Sequence, residues 1–300
     1  MTLHTCLITG GNAGIGKAAA TQLAAQGAEV IIATRSEERG EAAVAEIRAQ
    51  SSSDAVSLVV MDLSSRQSIL DGCQAFREGG HGRLDALVHN AADFDISRKE
   101  PVYSADGIET VWATNHVGPV LLTQQLAGEL SRSEQGRVIT VSSQGLILHP
   151  FLQVDLEDPE FRRGGFRVDK AYYQAKLAQV MFTYWLAEQF RGTPMTANCI
   201  RVTNVKIDVA RYPDLSDFQK RLYSIKSRFS ISPAQMAEVY AWLSLAPEVA
   251  HISGGYFDEK RKQVNAGRYA SDADNIRRVM ELTARYVPGL QAGIGPTGQQ

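Results

Sequence analysis

Short apolar runs alternate with longer amphipathic stretches from the start of the chain. Cys6-Leu7-Ile8 runs into a glycine turn and is followed by a helical pattern over Ile15 to Ala25. Val30-Ile31-Ile32-Ala33 leads to Ser36, a good helix N-cap, and to the helix-forming run Glu37 to Gln50. Val56 to Met61 precedes another polar helical stretch. Leu84 to Val88, Gly136 to Val141 and Thr196 to Val202 read as the fourth, fifth and sixth strands. Apolar runs rich in β-branched residues, alternating with helices of about ten residues or more, predict βαβ crossovers and a parallel sheet.

The connections are short except across 147–169 and 203–230, which are long and mixed in character. No Gly/Ser/Pro-rich linker divides the chain and no internal repeat is visible. Residues 1–288 therefore read as one α/β domain. A segment at about 204–230 is expected to lie over the site, and 289–300, rich in Gly, Pro and Gln, is expected to be a flexible tail.

Composition narrows this picture only a little. The 300 residues are 44% hydrophobic and 21% charged, ordinary globular usage, and a formal net charge of −2 argues against a broad basic footprint for nucleic acid. Cys6, Cys73 and Cys199 show no CxxC or Cys/His metal spacing. They read as buried, inert thiols of a reducing compartment, and no metal is indicated. The first residues lack the basic flank of a signal peptide, and no run approaches the ~18 apolar residues needed to span a bilayer. The expectation is a soluble, cytoplasmic protein.

Candidate chemistry begins at Thr9-Gly10-Gly11-Asn12-Ala13-Gly14-Ile15-Gly16, between the first strand and the first helix. Glycines there let the backbone turn tightly and approach a pyrophosphate, whose charge is stabilised by free amides at the helix N-terminus. Gly10, Asn12, Gly14, Ile15 and Gly16 are the candidate contacts. The second strand ends in Ala33-Thr34-Arg35-Ser36, without the carboxylate that would bind a ribose 2′-hydroxyl. Arg35 suits a 2′-phosphate, with Lys17 adding positive charge nearby, and this favours NADP(H) over NAD. Arg35 also has an ordinary reading as a solvated surface charge.

Further along, Tyr172-Tyr173-Gln174-Ala175-Lys176 opens a helix that continues through Leu177, Val180, Met181 and Tyr184. Tyr172 and Lys176 are four apart and share a face. An ammonium near a phenol favours the phenolate and brings a tyrosine into the range of a usable acid or base. Tyr173, at spacing three, reads as a packing residue. A YxxxK pattern alone recurs by chance, so the order of all the motifs matters.

That order is TGxxxGIG, Asn90-Ala91-Ala92 after the fourth strand, Asn115, Val141-Ser142-Ser143, then YxxxK. It resembles the short-chain dehydrogenase/reductase family from about Leu3 to Phe257. The retinol-dehydrogenase-like branch is most similar in style, through Asn115-His116-Val117-Gly118-Pro119, Ala171-Tyr172-Tyr173-Gln174-Ala175-Lys176 and Gly255-Tyr256-Phe257. The resemblance implies a doubly wound parallel sheet of the Rossmann type and a nicotinamide-dependent oxidoreductase. Tyr172 would exchange a proton with the substrate oxygen, Lys176 would lower its pKa and bind the nicotinamide ribose, Ser143 would hold the carbonyl oxygen, and Asn115 would position a water. Asp62 and Leu63 would contact the adenine, Asn90, Ala91 and Ala92 would line the cofactor, and Val205 would touch it from the sixth strand's exit. Members often pair through their fourth and fifth long helices, which implies a homodimer.

Two departures stand out. The family's NNAG is His89-Asn90-Ala91-Ala92 here, and Val202-Thr203 replaces its Pro-Gly, with Ile207 roughly where a threonine would contact the carboxamide. The interval from Ser143 to Tyr172, with Leu146 to Leu152 and the acidic Asp155 to Asp158, reads either as a wall of the substrate pocket or as a surface loop; His149 within it reads as incidental. The segment Arg211 to Phe229, with Tyr212, Leu215, Phe218, Leu222 and Tyr223, occupies the family's lid position and fits an amphipathic helix. An apolar lid suggests a lipophilic substrate; packing onto the body is the bland alternative. The leading reading is NADP(H)-dependent interconversion of a small-molecule carbonyl and alcohol. NAD-linked alcohol oxidation, reduction of a carbon–carbon double bond, and a catalytically silent dinucleotide-binding sensor are the alternatives.

Overall fold

The structure, a computed structural model, describes residues 4–206, 230–290 and 293–294. Its strands are β1 (Thr5–Thr9), β2 (Glu29–Thr34), β3 (Val56–Val60), β4 (Ala86–His89), β5 (Arg137–Ser143), β6 (Thr196–Val202) and β7 (Gly255–Phe257). They form one parallel sheet in the order β3-β2-β1-β4-β5-β6-β7. The first three helices are α1 (Gly14–Ala25), α2 (Glu37–Ser51) and α3 (Arg66–Glu78). The middle of the chain supplies α4 (Thr110–Trp112), α5 (Gly118–Gln125), α6 (Ala127–Ser131) and α7 (Val168–Gln189). After the sixth strand come α8 (Pro233–Leu245), α9 (Arg268–Ser271) and α10 (Ala273–Ala284).

The strands are apolar on both sides because both sides are covered. Cys6 and Ile8, Val30 and Ile32, and Ala86 and Val88 pack into one cluster with α1, α2 and α8. Their neighbours Leu7, Ile31 and Leu87 point the other way, into a cluster with α3, α5, α7 and α10. Helix starts follow local chemistry: Ser36 accepts a hydrogen bond from the Arg39 amide, and Ser232 and Gln235 form a capping box on α8. The predicted fourth strand is shorter than its apolar run. Leu84 and Asp85 lie ahead of the ladder, and the Asp85 carboxylate takes hydrogen bonds from the Thr5 amide at 2.8 Å and the Ser133 hydroxyl at 2.5 Å.

The strand order reverses between β1 and β4, so the connections leaving their carboxyl ends diverge to opposite faces and open a crevice. The glycine turn, the end of β2 and the residues that follow β3 and β4 line this crevice. The long stretch after β5 starts with a 3₁₀ turn over Gln144–Leu148 and is then fastened to α7 through Gln174, whose amide donates to the Pro159 carbonyl at 2.7 Å. The proposed lid, 204–230, falls almost wholly outside the described residues, but its two ends pair: Ile231 donates to the Asn204 carbonyl and Lys206 to the Ile231 carbonyl, each at 3.0 Å. Within the stretch expected to be a flexible tail, Leu290 and Ile294 are buried in the core. Apolar side chains spaced four apart find a place on the α7 layer despite the surrounding glycines.

Two histidines couple this core to pH. His89 and His116 are buried, and each contacts a threonine hydroxyl, Thr123 at 2.7 Å and Thr283 at 2.8 Å, whose own proton goes to a backbone carbonyl. Each imidazole therefore donates from Nε2, and its buried Nδ1 has no partner among the described residues to accept a second proton. Burial holds both pKa values down to about 3 from an ordinary 6.5. Their contribution to stability is thus complete above pH 6.5 and is lost as pH falls from there toward 3. At pH 5 the two sites together are expected to have cost about 4 kcal/mol. Urea unfolding at pH 7 and pH 5 should show this loss, and His116→Gln should roughly halve it.

Candidate active site

The glycine turn is shaped by its neighbours. Gly10 has φ +66°, and a Cβ there would meet the Ala91 Cα at 2.9 Å. A Cβ on Gly16 would collide with the Asn90 amide and the Gly10 carbonyl oxygen. The Asn90 amide nitrogen donates to the Thr9 and Gly10 carbonyls at 3.0 and 3.3 Å, the Ala91 amide donates to the Thr9 hydroxyl at 3.0 Å, and the Tyr240 hydroxyl donates to Asn90 Oδ1 at 3.3 Å. The end of β4 thus fixes the turn leaving β1. No side chain caps α1 and its first turn carries no acidic residue, so its leading amides face the crevice.

A cleft of about 950 Å³ extends from this turn. Gly10, Asn12, Gly14, Ile15, Gly16, Arg35, Asp62, Leu63, Asn90, Ala91, Ala92 and Val205 all line it. Lys17, Arg35 and Arg39 supply positive charge at its β2 end. Lys17 is ion-paired with Glu46, whereas neither Arg35 nor Arg39 forms an ion pair among the described residues. Arg39 escaped the sequence reading because it sits inside α2. Its signal was present, since the third residue after an N-cap serine lies beside the strand end. Asp62 spends Oδ1 on the Ser64 amide and hydroxyl, both at 2.8 Å, and this closes the loop after β3.

The other four candidates, Asn115, Ser143, Tyr172 and Lys176, are not among the residues that line this cleft; Asn115 bonds Asp93, which does line it, and the Tyr172 ring packs on Phe94 beside Asp93. Lys176 is 2% exposed; its ammonium donates to the Val141 carbonyl at 2.8 Å and stands 5.7 Å from the Tyr172 ring centre. Burial lowers its pKa from 10.5 to about 8. Ser142, immediately before Ser143, donates to the Lys176 carbonyl at 3.0 Å and so locks β5 to α7. The Ser143 hydroxyl oxygen accepts from the Gly145 amide at 3.1 Å, which leaves its own proton to donate elsewhere. Asn115 lies in a π-helical turn over Ala113–Val117 and is 1% exposed. Both ends of its side chain are used on one residue: Oδ1 accepts from the Asp93 amide at 2.8 Å and Nδ2 donates to the Asp93 carbonyl at 2.9 Å. The side chain therefore fastens a loop. Tyr173 packs against His149, with ring centres 4.5 Å apart.

With this geometry in hand, relatives are informative. A family model described as short chain dehydrogenase matches residues 4–151. Retinol dehydrogenase 13 of Homo sapiens is 31% identical over 291 residues, covering 96% of this chain and 85% of its own. The chain belongs to the short-chain dehydrogenase/reductase family. Retinol dehydrogenase 12 of Bos taurus is 35% identical over 259 residues, with 85% and 78% covered, and places the chain in the retinol-dehydrogenase-like branch of this oxidoreductase family. An uncharacterised protein from Mycobacterium paratuberculosis has the same fold, with a TM-score of 0.71 at 25% identity over 94% of this chain and 92% of that one.

The departures from the family pattern take on physical content. Ala92, at the position of the family's glycine, is not among the non-glycine residues of positive φ, so its methyl costs no backbone strain. Thr203, in place of the family's glycine after β6, donates its hydroxyl to the Gln144 side chain, next to Ser143. A polar tie between β5 and β6 stands where the family uses a Pro-Gly turn. Ile207 and the segment Arg211 to Phe229 lie outside the described residues. Among the described residues no helix is long and apolar enough to cross a membrane, and no group of three or more His, Cys, Asp or Glu could hold a metal.

Proposed function

We propose that this protein is an NADP(H)-dependent oxidoreductase that reduces a lipophilic ketone or aldehyde, with Tyr172 as the general acid. The observation that carries this reading is the buried Lys176 ammonium beside the Tyr172 ring, which packs on Phe94 next to Asp93, a residue of the cleft lined by the glycine turn. The cradle fits a dinucleotide because the faces of Gly10 and Gly16 are closed to any Cβ and the α1 amides carry no competing cap. Bound there, the nicotinamide supplies the hydride. Arg35 and Arg39 would hold a ribose 2′-phosphate by charge-assisted hydrogen bonds.

The remaining chemistry belongs to the chain's own side chains. The Ser143 hydroxyl, having accepted from Gly145, donates to the substrate carbonyl oxygen and polarises it. Tyr172 donates its proton to that oxygen as negative charge develops. Lys176 stabilises the resulting phenolate through space, and its hydrogen bond to Val141 keeps the ammonium from swinging away. Ile147, Leu148 and Phe151, which follow Ser143 closely, are 56%, 80% and 93% exposed. Exposed apolar side chains so close in sequence to Ser143 support a lipophilic substrate.

The test is fluorescence titration of the purified protein with NADPH and NADH, alongside Arg35→Glu. NADPH is expected to bind more tightly, and the variant should lose about 1–3 kcal/mol of NADPH affinity while leaving NADH affinity nearly unchanged. Equal affinity for both dinucleotides in the wild type would turn the reading toward NAD-linked alcohol oxidation.

A further inference from the structure

We propose that Arg98 is a positioning residue for Tyr172, acting through the segment Asp93–Phe94. This rests on Tyr172 being the reacting acid. The Phe94 ring lies against the Tyr172 ring, with centres 4.4 Å apart, so the place of Phe94 decides one wall of the phenol's surroundings. Phe94 follows Asp93, and Asp93 is held from two sides. Asn115 clamps its backbone amide and carbonyl, and Arg98 grips its carboxylate with Nη1 at 2.8 Å from Oδ2 and Nη2 at 3.2 Å from Oδ1. A two-pronged bond of this kind fixes direction as well as distance.

Arg98 can reach back because the chain turns under it. Ser97 donates its amide and hydroxyl to Asp95 Oδ1, at 2.9 and 2.6 Å, and the Arg98 amide donates to the Asp95 carbonyl at 3.1 Å. The same guanidinium donates to the Thr110 hydroxyl at 2.9 Å and stands 3.9 Å from Oε1 of Glu109. Glu109 is fully buried; its Oε2 caps α4 by accepting from the Trp112 amide at 2.9 Å, while Oε1 accepts no hydrogen bond among the described residues. Burial raises the Glu109 pKa, so Arg98 is its available counter-charge. Since α4 leads directly into the π turn that carries Asn115, one guanidinium joins both segments that meet at Tyr172.

Removing Arg98 alone would strand the Glu109 charge and risk unfolding. Arg98→Met is therefore made together with Glu109→Gln, which keeps the cap acceptor without the charge. Arg98→Lys serves as the conservative variant; a lysine restores the charge but lacks the fork. The full chain is labelled with 3-fluorotyrosine, and the fluorine resonance of Tyr172 is assigned by its disappearance in Tyr172→Phe. The Arg98→Met/Glu109→Gln resonance is expected to move away from the wild-type position toward that of Phe94→Leu, with Arg98→Lys in between. Turnover of nonanal under NADPH should fall about 10- to 100-fold in kcat, with NADPH affinity unchanged. A resonance that stays at the wild-type position in the double variant, or that does not respond to Phe94→Leu, overturns the proposal. If Tyr172→Phe instead keeps wild-type turnover, it is the assignment of Tyr172 as the acid that fails, and the resonance still reports on the strap.

Discussion

Replacing Tyr172 with phenylalanine is expected to lower kcat for carbonyl reduction by about 10²–10⁴-fold while leaving NADPH affinity within a few-fold of wild type. The substitution removes one oxygen and keeps the ring that packs against Phe94 and Tyr173, with centres at 4.4 and 5.3 Å. What is lost is the proton donor to the substrate oxygen. Ser143 still polarises the carbonyl, so a residual rate should persist. Steady-state kinetics with a lipophilic aldehyde, paired with a fluorescence titration of NADPH, separates the two effects. A variant that retained wild-type kcat would exclude Tyr172 as the acid, whereas a loss confined to cofactor affinity would make it a binding residue.

The glycine-turn half of this candidate site was legible in the sequence because backbone demands govern it. A glycine turn between an apolar run and a helix has few uses, and the residues that close it follow β4 in fixed order. Asn90 and Ala91 lie against the glycine turn, held there by their hydrogen bonds to Thr9 and Gly10. Tyr240 is different. It lies 150 residues from Asn90, and its hydroxyl reaches the crevice only because α8 packs against α1, so no local signal marks it. Arg98 is hidden for a related reason. It sits in an irregular loop where the spacing of charges carries no periodicity, and its partners Asp93 and Glu109 become neighbours only when the chain turns back at Asp95. The Val202-Thr203 departure was visible as a mismatch, but its consequence, the hydroxyl tie to Gln144, required the β5–β6 pairing. The burial of Leu290 and Ile294 was masked by the glycines around them, since composition outweighs spacing over so short a stretch.

Lys176 shows how far this site has been built against its own stability. A charged ammonium at 2% exposure costs folding energy, and the drop in its pKa from 10.5 to about 8 measures that cost at about 3 kcal/mol. The folded pKa lies below the unfolded one. The penalty is therefore full below about pH 8 and fades as pH rises from there to 10.5, because only the unfolded chain still binds the proton in that window. Methionine has similar length and no charge. Lys176→Met should relieve the penalty at pH 7, offset by about 1 kcal/mol for the donor lost to the Val141 carbonyl. The variant is expected to be at least as stable as wild type at pH 7 and to lose that advantage by pH 10, while its kcat for carbonyl reduction falls about 10²-fold or more. Thermal unfolding of both proteins at the two pH values, with kinetics at pH 7, reads all three quantities. In the wild type, reductive kcat/KM should decline as pH rises past about 8, where the ammonium begins to lose its proton and Tyr172 loses the charge that steadies its phenolate. A variant that is both inactive and markedly less stable at pH 7 would mean that Lys176 serves packing rather than the phenol.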